Sequence, residues 1–293
     1  MESCNPRNLK KWVEFLALEV GPRPYNDPER LKKVAGCIRQ YLLENGYEAE
    51  LQKFSYKKNE YFNVIGCAAG QRPLEKSTSS LLVVGAHYDT VGSTPGADDN
   101  ASAVAGLLEI ARIFSANPPA GLRMAFFTLE EPPAYRSRNM GSYHYARHLR
   151  DNAQALKGMI CLEMIGYFTD RPGSQKFPLP FMGRIYPSTG NFIALAGNTR
   201  SRAFTMKVRD AFSQGTDLPV ETLNAPCLVV GIDFSDHWSF YKMGYQAVMV
   251  TDTAFYRNPN YHRLTDVPAT LDYERAAKVV DGLVSVISAL TGD

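Results

Sequence analysis

The chain has 293 residues, of which 45% are hydrophobic and 21% charged, with a formal net charge of +2. That length suits one large α/β domain or two small ones, and the balance is that of an ordinary soluble globular protein. There is no basic block, no aromatic-interleaved arginine stripe and no apolar run of membrane-spanning length, which argues against nucleic-acid and membrane partners.

The N-terminus, Met1-Glu-Ser-Cys-Asn-Pro, lacks the apolar region of a secretory signal. Five scattered cysteines (Cys4, Cys37, Cys67, Cys161, Cys227) with no Cys-x-x-Cys pair favour reduced thiols and a cytoplasmic protein. In chain order, Asn8 to Val20 reads as an amphipathic helix ended by Gly21-Pro-Arg-Pro. A second helix starts at Asp27-Pro28, with Asp27 as N-cap, and runs to Asn45-Gly46. Glu48 to Tyr56 and Phe62 to Ala68 read as a hairpin or sheet edge, and Gln71 to Ser80 as a polar loop.

From Leu81 the rhythm is strand, helix, strand, helix. Strands are expected from Leu81, over Arg123 to Leu129, Met159 to Ile165, Phe192 to Ala196, Val220 to Asn224 and Ala247 to Thr251. Helices are expected over Ala101 to Phe114, Asn139 to Leu149, Ser201 to Phe212, Phe234 to Met243 and Tyr273 to Leu290. With no repeat or interdomain linker, the simplest account is one doubly wound α/β domain over residues 1–293. Its central sheet is mostly parallel, mixed at the edge, and flanked by helices.

The stretch His87-Tyr-Asp89 to Gly96-Ala-Asp98-Asp99-Asn100 joins the Leu81 strand to an apolar helix and gathers one imidazole and three carboxylates. His87, Glu130-Glu131, Glu163 and His262 fall at or after the ends of four strands. In open parallel sheets the ligand site lies outside the carboxyl ends of the strands, so these side chains are expected to converge, joined by Asp99. Histidine and carboxylate together are zinc ligands, and five exceed what one catalytic zinc needs. Asp89 is placed to accept the second N–H of the His87 imidazole.

Blander roles compete at several positions. Asp98, Asp99 or Asn100 would serve as a helix N-cap, and His144 and His148 would lie on a solvated helix face. His237 has either a supporting or a packing role. The sequon at Asn100 opens a buried helix and is read as chance.

Taken together, His87-Tyr-Asp89, Gly96-Ala-Asp-Asp-Asn100, Glu130-Glu131, Glu163-Met-Ile-Gly166 and Tyr261-His262 resemble the zinc-dependent aminopeptidase family. Its relatives include bacterial secreted di-zinc aminopeptidases, glutamate carboxypeptidase and the glutaminyl cyclases. The resemblance implies two zinc ions per chain, one held by His87 and Glu163, the other by Glu131 and His262, with Asp99 bridging. It makes Glu130 the general base toward a metal-held water, and Tyr261 a donor to the oxyanion. Asp89, Asp98 and Glu163 are candidate anchors for the α-amino group of a peptide substrate with a free N-terminus. Glu163 stands where the better-known aminopeptidases carry Asp, and related carboxypeptidases more often carry Glu there. Glutaminyl cyclisation, carboxypeptidase or amidohydrolase cleavage on the same site, and a non-catalytic peptidase-fold binding protein, are the rival readings. Two proline-rich loops, Pro132 to Met140 and Tyr167 to Gly190, carry Tyr135, Tyr167, Phe168, Phe177, Phe181 and Tyr186. These rings either pack the loops onto the domain or wall a pocket beside the metals, which would favour apolar or aromatic first residues over acidic ones.

Overall fold

The structure is a computed structural model that describes residues 2–292. The chain enters through helix α1 (Pro6–Glu14), started by Asn5, whose side chain accepts the Arg7 N–H, and prolonged by a wider π-helical turn to Val20. Helix α2 (Pro28–Glu44) begins as expected, with the Asp27 carboxylate accepting the Arg30 N–H and proline at the first position. Strands β1 (Tyr47–Tyr56) and β2 (Asn59–Ala68) form the antiparallel hairpin.

Thereafter strands and helices alternate: β3 (Leu81–His87), α3 (Ala103–Ile113), β4 (Leu122–Phe127), α4 (Gly141–Asp151) and β5 (Leu156–Glu163). They continue with β6 (Ile193–Asn198), α5 (Arg202–Gly215), β7 (Val220–Ala225), α6 (His237–Lys242), β8 (Ala247–Thr251) and α7 (Tyr273–Thr291). Helix α6 is shorter than its apolar pattern implied, because Phe234 and Ser235 belong to the preceding loop.

All eight strands belong to one sheet, in the order β1-β2-β4-β3-β5-β8-β6-β7. Its centre, β4-β3-β5-β8, is wholly parallel. The antiparallel pairing lies on the flanks, with the hairpin on one side and β6 against β8 on the other. β3 and β4 are buried at every residue, as strands covered on both faces must be. One face packs against α2, α3, α5 and α7, with α1 resting on α3 and α7, and the other against α4 and α6. Among the described residues no helix is long and apolar enough to cross a membrane. All five cysteines are unpaired.

Candidate metal centre

The four parallel strands of the centre are neighbours, so their carboxyl ends open onto one edge. His87 is the last residue of β3 and Glu163 the last of β5, while Glu130-Glu131 and His262 follow β4 and β8. Asp99 arrives from the segment between β3 and α3. His87, Asp99 and Glu163 form one group of donor atoms, and Asp99, Glu131 and His262 a second. Within the first, His87 Nε2 lies 3.2 Å from Glu163 Oε2 and 3.5 Å from Asp99 Oδ1. Within the second, His262 Nε2 lies 3.2 Å from Asp99 Oδ2 and 3.4 Å from Glu131 Oε2. The two groups thus use different oxygens of one carboxylate. Glu130 sits beside both, its Oε2 3.9 Å from His87 Nε2.

The expected N-cap is absent from this segment. Asp99 and Asn100 have non-helical backbone angles, and α3 starts only after Ser102, with no side-chain cap. The polar side chains have other work. Asn100 accepts the Met164 N–H and donates to the Leu162 carbonyl and to Glu163 Oε2, fixing the end of β5. Asp98 accepts the Gly166 N–H and an Asn258 amide hydrogen. Gly96 opens the segment at φ +62°, where a side chain would collide with Thr90 and with the Asp99 carbonyl.

Asp89 lies behind His87. The Nδ1 of the imidazole faces the Asp89 carbonyl at 3.2 Å and its Oδ1 at 3.5 Å, which favours the tautomer that turns a lone pair on Nε2 toward the carboxylates. The same carboxylate accepts the Glu130 and Glu131 N–H groups at 3.2 and 3.1 Å. Asp89 and Asp98 are therefore buried and fully occupied by the protein, and neither lines the cleft. Of the three expected amine anchors, only Glu163 does.

Several supporting residues have no counterpart in the sequence reading. Asp266 accepts the N–H groups of both Asp98 and Asp99, and Ser235 donates to Glu163 Oε2 at 2.8 Å. Arg23, in the turn read only as a helix stop, is fully buried. It donates to the carbonyls of Leu16, Gly21, Tyr88, Pro95 and Gly96, clamping the loop that carries Asp89. Only its position, a charge between two prolines, could have flagged it. Leu129, Met164 and His262 adopt left-handed backbone angles (φ +60°, +48° and +57°), a conformation that non-glycine residues hold only where surrounding structure enforces it. Leu129 adjoins the expected base Glu130, Met164 adjoins the expected ligand Glu163, and His262 is itself an expected ligand.

The donor set fits a divalent cation. Four carboxylates (Asp99, Glu130, Glu131, Glu163) face two imidazoles in a buried site, and His87 Nε2 and Glu131 Oε1 have no hydrogen-bond partner among the described residues. Burial pulls the His87 imidazole down, but Glu163 and Glu130 outweigh it, so His87 holds its proton well above the ordinary histidine range. Burial pushes the Glu131 carboxyl up to about 7, with Asp99 adding to the rise and His262 opposing it. His262 is raised to about 10 by Asp99 and Glu131 against the effect of its burial. Crowded carboxylates that hold protons for want of a counter-charge are what a bound cation relieves.

Other expected residues fall elsewhere. His144 stacks on Phe54 and His148 Nε2 meets the Leu74 carbonyl at 2.7 Å, so this pair packs against the sheet's edge and is not a solvated face. His237 is buried, bonded to the Ile232 carbonyl and lowered by burial to about 4, which settles a neutral packing role. Tyr261 stacks on His262 with ring centres 3.8 Å apart. It forms a wall shared by the carboxylate cleft and an adjoining apolar cavity. Phe177 and Tyr186 line that cavity and Tyr135 lines the cleft. Phe168 instead packs under Arg257, and Phe181 is 56% exposed.

With this geometry in hand, the chain can be set beside known proteins. A protein of Escherichia coli (strain K12), "Uncharacterized protein YfbL", is 38% identical, with 97% of this chain and 88% of that protein aligned. The "Probable leucine aminopeptidase" of Arthroderma benhamiae is 26% identical over 96% of this chain and 70% of its own length. The solved structure of BSAP, a zinc aminopeptidase from Bacillus subtilis, superposes with a TM-score of 0.74 at 15% identity, covering 97% of this chain and 95% of BSAP, and so shares the fold. The profile of peptidase family M28 matches residues 63–287, a span that holds every residue of both donor groups. This chain belongs to peptidase family M28.

Proposed function

We propose that this protein is a zinc-dependent aminopeptidase that removes the first residue of peptides with a free N-terminus. The observation that carries the reading is the pair of donor groups sharing Asp99, with Glu130 alongside and a cleft in front. The peptidase family match and the aminopeptidase name of an aligned relative support it.

His87, Asp99 and Glu163 would hold one ion, and Asp99, Glu131 and His262 the other. Zinc bound there would supply Lewis acidity toward the scissile carbonyl and the attacking water. Burial, opposed by His87 and reinforced by Glu131 and Glu163, raises the Glu130 carboxyl above the carboxylate range, and its place beside both donor groups suits it to take up and return a proton. Glu130 takes a proton from the attacking water and delivers it to the leaving amine. Tyr261, placed between the cleft and the apolar cavity, offers its hydroxyl to the developing oxyanion. Glu163 presents its carboxylate to the substrate's α-ammonium, and the first side chain enters the apolar cavity.

The test uses zinc-loaded protein with leucine anilide, its N-acetylated form and a substrate with N-terminal glutamine. Hydrolysis of the free leucine compound, abolished by a chelator and restored by zinc, is expected. Equal cleavage of the acetylated compound, or cyclisation of the glutamine substrate in place of hydrolysis, would overturn the reading.

A further inference from the structure

The apolar cavity beside the carboxylates has a floor made by one face of the sheet. Strand register places Glu163 opposite Thr251, Thr251 opposite Ala194, and Ala194 opposite Glu221. These four residues lie in one row across β5, β8, β6 and β7, on the same face, and all of them line the cavity. The next row toward the interior, Met249, Ala196 and Leu223, is apolar and lines it too. Glu163 and Glu221 therefore stand at opposite ends of an apolar floor, three strand spacings or about 14 Å apart along the backbone.

Glu221 is out of place as a mere edge residue. It is half-buried, and its carboxylate makes no hydrogen bond and no ion pair among the described residues. Lys176 reaches the cavity rim but is exposed and is not paired with Glu221. Burial raises the Glu221 carboxyl above its ordinary value, the direction expected of a charge awaiting a partner. A solvated edge carboxylate has no reason to border an apolar cavity.

We propose that Glu221 selects substrates whose first residue carries a long side chain ending in a cation, lysine or arginine. This rests on the aminopeptidase reading, which puts the α-amino group at the Glu163 end. The aliphatic stem of lysine or arginine then lies over Ala194 and Ala196, and its charged head meets Glu221. Unbranched apolar residues use the same floor without the terminal contact, and acidic residues are repelled.

The experiment compares lysyl, norleucyl and glutamyl anilides on the zinc-loaded protein and on Glu221→Gln and Glu221→Lys. Norleucine carries the stem of lysine without its charge. The lysyl-to-norleucyl ratio of kcat/KM is expected to fall roughly tenfold in Glu221→Gln, the scale of one charge-assisted hydrogen bond. In Glu221→Lys the glutamyl compound should overtake the lysyl one. Calorimetric binding of L-lysine amide and L-norleucine amide separates this proposal from the activity itself. Tighter binding of the lysine compound that disappears in Glu221→Gln upholds the role of Glu221 even if no anilide is hydrolysed. Equal or undetectable binding of the two amides to the parent protein, or a lysyl-to-norleucyl ratio indifferent to Glu221→Gln, overturns it.

Discussion

Asp266 holds Asp99 by its backbone. Its Oδ2 accepts the Asp99 N–H at 3.1 Å, while its Oδ1 accepts that of Asp98 at 2.9 Å. Asp266 lies four residues after His262, so one carboxylate ties the loop carrying that imidazole to the segment carrying the shared ligand. Asp266→Ala would strand two buried N–H donors at a cost of ~1–3 kcal/mol each. Loss of such an orienting partner typically weakens metal affinity 10–100-fold. Zinc titration and thermal melts should show both effects, with Asp266→Asn intermediate. Unchanged zinc affinity in Asp266→Ala would show that the loop finds its geometry without this link.

Glu130 and Glu131 are adjacent but should separate under mutation. Glu130→Gln should retain its metal while turnover drops ~10²–10⁴-fold, the usual contribution of a general base. Glu131→Ala should lose metal, since Glu131 Oε2 belongs to the His262 group. Metal analysis beside kcat for both variants decides it, and metal loss confined to Glu130→Gln would reverse the assignment.

In the proposed reading each of the two donor groups that share Asp99 holds one ion. Protein saturated with zinc and freed of excess metal should carry close to two per chain by elemental analysis. A firm plateau at one would overturn the two-ion assignment.

Zinc should stabilise the protein more at pH 7.5 than at pH 5.5. Glu131 is raised to about 7, and Asp236 and Asp266 are also raised to about 7, each chiefly by burial. A carboxyl whose folded pKa exceeds its unfolded one favours folding while protonated, and that contribution disappears as pH rises through about 7. The chelated protein should therefore lose stability between pH 5.5 and 7.5. Zinc, which competes with protons for the Glu131 carboxylate, should restore more of it at the higher pH. Melting temperatures with zinc and with chelator at both pH values test this, and an equal or smaller zinc-induced rise at pH 7.5 would contradict it.

Much of this protein could be read from local pattern. Apolar runs with strand or helix period located nearly every element, because burial on two faces or one leaves a direct trace in residue order. His87, Glu130, Glu131 and Glu163 stood out because each sits where a buried strand gives way to a loop, while Asp99 and His262 stood out in the loops that follow β3 and β8. What residue order could not carry was the use of each polar group once the loops met. Asp89 and Asp98 look like free carboxylates in sequence, but tertiary structure spends both on N–H groups from distant loops, and the same holds for Asp98 and Asn100 as helix caps. Arg23, Ser235 and Asp266 support the site from positions far apart in the chain, so no spacing links them to it. Glu221 gains its place opposite Glu163 only through the order β5-β8-β6-β7, in which β6 and β7 reach the sheet's flank after the chain has passed Glu163. Strand identity is a local property of a few residues, whereas strand order is settled by which faces and edges can be buried together. The shape of the substrate cavity follows from the second.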